Sequence, residues 1–89
     1  MKAYQIILFG RVQGVGFRYY VYNIAKEMGL RGFVKNRPDR TVYIEVAAPD
    51  QKTFEDFLEK IKKGPARAEV TKVVVNEIPD VYDKRFVIR

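Results

Sequence analysis

The chain has no cysteine, no histidine, no serine and no tryptophan among its 89 residues. Without cysteine, disulfides, thiolate zinc sites and cysteine nucleophiles are excluded. Without serine and histidine, so are Ser–His–Asp triads and histidine general bases. Catalysis would have to rest on Arg, Lys, Asn, Tyr, carboxylates and backbone amides. Also missing is any apolar run near the length of about 20 residues that spans a bilayer. The opening MKAYQIILFGR is too short, and too charged after Phe9, for a secretory signal. The expectation is a cytoplasmic protein with no membrane partner. Few Asn and Gln, no cysteine and 31% charged residues point toward a thermophilic source.

What is present is ordinary for a globular chain: 47% apolar and 13% aromatic residues. The length suits one core, so residues 1–89 are expected to form a single domain. Lysine and arginine exceed the acids by 17 − 11 = 6. That balance favours an anionic partner, whether a phosphorylated small molecule, nucleic acid or an acidic surface, although charge alone fits a merely soluble basic protein equally well.

Apolar and β-branched residues predict strands over residues 3–9, 32–36, 41–46, 70–78 and 85–88. A helix from Phe17 carries Val21, Ile24, Ala25 and Met28 at helical spacing, with Gly29 placed to terminate it. A second helix opens after Asp50, its predicted N-cap, and buries Phe54, Phe57, Leu58 and Ile61. Gly64 and Pro65 then stop it. This order of elements predicts an α+β fold of the ferredoxin-like, split βαβ kind: an antiparallel or mixed sheet of four to five strands with two helices on one face. A right-handed crossover makes the first two strands parallel with the third between them. The segment GRVQGVGFR (residues 10–18) and the Lys35-Asn36 corner then meet at one edge of the sheet.

A glycine-rich loop leading into a helix offers unpaired amides and the positive end of a dipole. Gly14 and Gly16 would turn those amides inward, and Arg18 would add a bidentate clamp for phosphate oxygens. A tight turn with solvated arginines would account for the loop alone equally well. The Walker loop fails, because Phe17-Arg18 follows the last glycine where Lys and Ser or Thr are needed. A dinucleotide-binding GxGxxG fails at Tyr19.

GRVQGVGFR entering a helix, with GFVKN (residues 32–36) placing Asn36 eighteen residues after Arg18, resembles the acylphosphatase family over nearly the whole chain. The resemblance implies a phosphate-binding loop of Gln13, Gly14, Val15, Gly16, Phe17 and Arg18. It makes Arg18 and Asn36 the catalytic pair, Asn36 holding the attacking water. It further implies hydrolysis of acyl phosphates to carboxylate and inorganic phosphate by a monomer, with no metal and no cofactor. In-line phosphoryl transfer needs mainly positioning and charge stabilisation, and a carboxylate leaves without a general acid. Lys35, Arg37 and Arg11 are expected to raise the local potential. Tyr19, Tyr20 and Tyr22 are expected on the helix surface and the edge of the core.

One departure stands out: where the family places glycine after the Asp-like turn position, this chain has Arg40. If φ is positive there, the strain is on the order of 1 kcal/mol. Two rivals remain. Arg31-Gly-Phe-Val-Lys35 echoes the start of an RNA-recognition strand but lacks its second Gly-Phe. Acylphosphatase-like domains also open hydrogenase-maturation carbamoyltransferases as accessory modules; with the fold complete by Arg89, a free-standing enzyme is the expectation.

Overall fold

Every predicted element is present in the computed structural model, which describes residues 1–89. The order is β1 (Lys2–Arg11), α1 (Phe17–Glu27), β2 (Arg31–Asn36), β3 (Val42–Ala48), α2 (Gln51–Lys63), β4 (Glu69–Ile78) and β5 (Phe86–Ile88). The strands form one mixed sheet in the order β4-β1-β3-β2-β5. β1 and β2 are each antiparallel to β3, which lies between them, so they run parallel to one another. β5 adds to β2 in parallel and makes one edge of the sheet. The fold is ferredoxin-like, as the element order predicts.

Strand alternation decides which face the helices cover. Tyr4, Ile6 and Leu8 of β1 and Val42, Ile44 and Val46 of β3 are buried. They form one core with Phe17, Val21 and Ala25 of α1 and Phe54, Phe57 and Ile61 of α2. Tyr4 stacks on Phe54 with ring centroids 3.6 Å apart, fixing α2 against β1. The intervening Gln5, Ile7, Tyr43 and Glu45 are half-buried on the open face.

Both helices end as their sequences dictate. After α1, Leu30 N–H reaches Ala25 C=O at 2.9 Å and Gly29 N–H reaches Lys26 C=O at 3.1 Å. Together with Gly29 at φ 70 this is the Schellman arrangement. At the start of α2, the Asp50 carboxylate accepts Thr53 N–H at 2.8 Å, a cap that contributes about 1 kcal/mol.

Each strand starts one residue from its expected position, and β1 and β3 also run two residues beyond their expected ends. β3 begins at Val42 because Thr41 is drawn into the preceding turn, where Asp39 accepts from both its amide and its hydroxyl. It runs on through Ala47 and Ala48, which pair with Ala3 and Lys2 of β1. Near the far end of β1 the register with β4 shifts between Phe9 and Gly10. A Cβ on Gly10 would meet the Glu69 carbonyl oxygen at 2.1 Å, so only glycine lets the two backbones approach there.

Candidate active site

Beyond the Gly10 bulge, the chain enters α1 through a loop whose backbone alternates in sign. Gly14 has φ +74 and Gly16 has φ +79, whereas Arg40 is the one non-glycine residue with positive φ, so Gln13 and Val15 lie on the negative side. Such alternation turns successive N–H groups into one concavity. Nothing lies within 4 Å of the Cβ that either glycine would carry, so conformation and not crowding calls for glycine. The amides of Gly14, Val15, Gly16, Phe17 and Arg18 donate to no acceptor in the protein; the first helical bond is Tyr20 N–H to Gly16 C=O at 3.1 Å. A row of free donors at the positive end of a helix is an anion site waiting for charge.

Gly14, Gly16, Phe17 and Arg18 line a concavity of about 120 Å³ that Asn36 closes from the end of β2, with Val12 and Tyr19 as its remaining walls. The fold thus brings together the two residues that the sequence sets eighteen apart. Phe17 is buried in the core, which anchors the turn and leaves the adjacent Arg18 exposed. Arg18 Nη1 donates to the main-chain oxygen of Arg89 at 3.3 Å. Arg89 is itself fixed: its N–H reaches Val34 C=O at 2.8 Å, its guanidinium pairs with Asp83 at 2.8 Å and lies 4.2 Å from the Phe33 ring centroid.

Asn36 stands where β2 runs into the turn toward β3, and that turn is densely bonded. Arg37 N–H donates to Thr41 C=O and Arg40 N–H to Arg37 C=O, both at 3.0 Å. Arg37 Nε donates to Thr41 Oγ1 at 3.0 Å. The Thr41 hydroxyl, then its amide, hold the Asp39 carboxyl below its ordinary pKa of 3.8, with Arg37 adding a smaller pull. From across the site, Gln13 Nε2 donates to the carbonyls of Arg37 at 2.8 Å and Thr41 at 2.9 Å. Arg40 adopts φ 73, so the turn keeps the left-handed backbone that glycine would favour and carries the strain in arginine.

The side chains of the loop divide their labour in a way that the sequence does not reveal. Gln13 clamps the turn and Val15 packs against the core, so neither residue lines the concavity. Lys35 and Arg37 flank the Tyr43 ring at 5.6 and 5.2 Å on the open face of the sheet, pointing away from Asn36 as strand alternation predicts. Arg11 is exposed. Tyr20 donates its hydroxyl to Lys60 C=O at 2.7 Å, Tyr22 lies at the edge of the core, and Tyr19 is 68% exposed. The Arg89 support of Arg18 and the Gln13 clamp were not legible beforehand, since both join residues far apart in sequence.

Two larger hollows exist. One of about 760 Å³ runs between α1 and β5 and shares Tyr19 with the site; another of about 330 Å³ lies on the open sheet face. The smallest hollow is the one lined by unbonded backbone donors.

The sequence profile of the family described as Acylphosphatase matches residues 4–88. An acylphosphatase of Ligilactobacillus salivarius is 52% identical over 81 residues, covering 89% of this chain and 88% of that one. The crystal structure of acylphosphatase from Bacillus subtilis superposes with a TM-score of 0.94 at 41% identity, over 100% of this chain and 99% of that one. The HypF structure from T. kodakarensis matches 100% of this chain with only 12% of its own, at a TM-score of 0.84 and 41% identity.

Proposed function

We propose a mechanism from one premise: the chain belongs to the acylphosphatase family and is a hydrolase of acyl phosphates. The free amides of Gly14 to Arg18 receive the equatorial phosphoryl oxygens, and the Arg18 guanidinium neutralises the charge that spreads over them in the transition state. Gln13 precedes these amides in the same loop, and its side chain holds the β2–β3 turn. Asn36 orients a water on the side opposite the leaving group. The water oxygen bonds to phosphorus as the bond to the acyl oxygen breaks, and the proton stays with the inorganic phosphate. The departing carboxylate is a weak base and needs no proton donor.

The observation that carries this reading is that Gly14, Gly16, Phe17 and Arg18, whose amides bond to nothing in the protein, line one concavity of about 120 Å³ together with Asn36. No carboxylate lines it, so the anionic oxygen ligands that usually hold a hard cation are not among its walls. Metal-independent hydrolysis is proposed on that chemistry. The substrate is a small-molecule acyl phosphate, and residues 1–89 act as one domain, a monomer in the cytoplasm. Nucleic acid is not proposed as a partner: on the open sheet face Phe33 is buried and Phe9 and Tyr43 are half-buried, so these rings form no exposed platform for bases to stack on.

The test is release of acetate and phosphate from acetyl phosphate, beside p-nitrophenyl phosphate as a monoester, each with and without a chelator. The expected kcat/KM is at least about 10³ higher for acetyl phosphate, a difference of about 4 kcal/mol in barrier, and the chelator changes nothing. A folded chain that cleaves both alike, or neither, would overturn the mechanism.

A further inference from the structure

The concavity holding Arg18 and Asn36 is small. At about 120 Å³ it is the smallest of the three hollows, a size that suits a phosphoryl group better than a long acyl chain. An acyl chain has to lie outside it. Tyr19 is a wall of that concavity and also of the groove of about 760 Å³ between α1 and β5. The groove therefore begins where the leaving group departs.

Its shape follows from the two elements that bound it. Tyr19, Tyr22 and Lys26 stand at i, i+3 and i+7 on α1 and share one face. β5 makes the opposite wall. Because β5 runs parallel to β2, its Arg89 end lies beside Arg18, and Lys84 and Arg85 mark the far end. The seven steps from Tyr19 to Lys26 rise about 10 Å along the helix.

Chemistry changes along that length. Near the phosphoryl site the wall is aromatic: Tyr19 is 68% exposed and meets Tyr22 edge to face at 6.3 Å. At the far end the wall is cationic, and no carboxylate lines the groove. Arg31 is engaged there, pairing with Asp80 at 3.2 Å and donating to the Val81 and Asp83 carbonyls. Lys26, Lys84 and Arg85 have no carboxylate partner; Lys26 rests 5.9 Å from the Tyr22 ring centroid. An apolar wall followed by free cations about 10 Å away complements an elongated acid that ends in a second negative charge.

We propose that the groove between α1 and β5 is the acyl-group subsite, with Tyr19 its specificity-determining residue, and that Lys26, Lys84 and Arg85 favour long acids ending in a second carboxylate. The proposal rests on acyl phosphate hydrolysis at Arg18 and Asn36.

Three substrates test it: acetyl phosphate, octanoyl phosphate and the monophosphate of octanedioic acid. The expected KM for the octanedioic substrate is about fivefold below that of octanoyl phosphate in low salt, and the gap closes as added salt screens the exposed cations. The double variant Lys84→Ala/Arg85→Ala closes the same gap and leaves acetyl phosphate turnover as it was. Tyr19→Ala raises KM for both eight-carbon substrates by more than it does for acetyl phosphate. Equal KM values for the three substrates, or variants that shift all three alike, would overturn the subsite while hydrolysis stands. A folded chain with no turnover of acetyl phosphate would overturn both.

Discussion

The two loops that meet at the site are built on opposite plans. Between β1 and α1, the amides from Gly14 to Arg18 bond to nothing in the protein, and open space surrounds both glycines. Between β2 and β3, the main chain and side chains of Arg37, Asp39 and Thr41 bond to one another, and Gln13 reaches over to hold two carbonyls. One loop keeps its donors free for a ligand; the other uses its hydrogen-bonding groups to fix a corner. The first relieves positive φ with glycine, and the second tolerates it in Arg40 because the surrounding bonds leave little alternative. Donors held ready at fixed positions suit charge stabilisation, and a rigid corner suits the orientation of a water.

Breaking the donor side is expected to have the largest effect. Arg18→Ala lowers kcat/KM for acetyl phosphate by about 10³, in line with the loss of a charged donor from a developing anion. Since Arg18 is exposed, circular dichroism of the variant should match that of the parent. A loss under about tenfold would move the charge stabilisation onto the amides alone.

Loosening the corner comes next. Gln13→Ala removes the side-chain donor from the Arg37 and Thr41 carbonyls, each of which keeps one backbone donor, at a cost of about 1 kcal/mol. For a domain of this size the melting temperature drops by about 4–8 °C per kcal/mol. Here kcat should fall while inhibition by inorganic phosphate stays close to the parent's. A variant that melts with the parent would show that the clamp is idle.

The smallest effect is on acid stability. The Asp39 carboxyl titrates below its ordinary 3.8 because Thr41 donates to its charged form. Its stabilisation is therefore complete above about pH 4 and is lost as the pH falls through the lowered value. Asp50 and Asp80 are lowered in the same direction, chiefly by the amides of Thr53 and Val81. Melting temperatures should hold level from neutral pH to about pH 5 and fall below pH 4, and Asp39→Asn should make that fall shallower. An unchanged acid slope in Asp39→Asn would remove Asp39 from the account.

Much of this molecule was legible in its sequence because the informative signals are local. The stripe Phe54, Phe57, Leu58 and Ile61 marks α2, Gly29 ends α1, and GRVQGVGFR marks a loop entering a helix. The meeting of Arg18 with Asn36 was legible one level up, since strand order and crossover hand fix which loops share an edge. The Gln13 clamp, the Arg89 support and the second role of Tyr19 were not. Each depends on the direction of a long side chain across a gap that only the folded sheet defines. The turn at Arg40 was half legible: the missing glycine could be noticed, but whether the backbone would change or the strain be kept is decided by Asp39, Thr41 and Gln13 together.

The division of labour between the two loops is tested most directly by inorganic phosphate affinity in Asn36→Ala and Arg18→Ala, measured as competitive inhibition or by calorimetry. The account predicts that Asn36→Ala binds phosphate within about twofold of the parent while losing about 10² in kcat, and that Arg18→Ala loses the affinity itself. If Asn36→Ala weakens phosphate binding as much as Arg18→Ala does, Asn36 belongs to the anion site, and the assignment of the water to the β2–β3 corner is wrong.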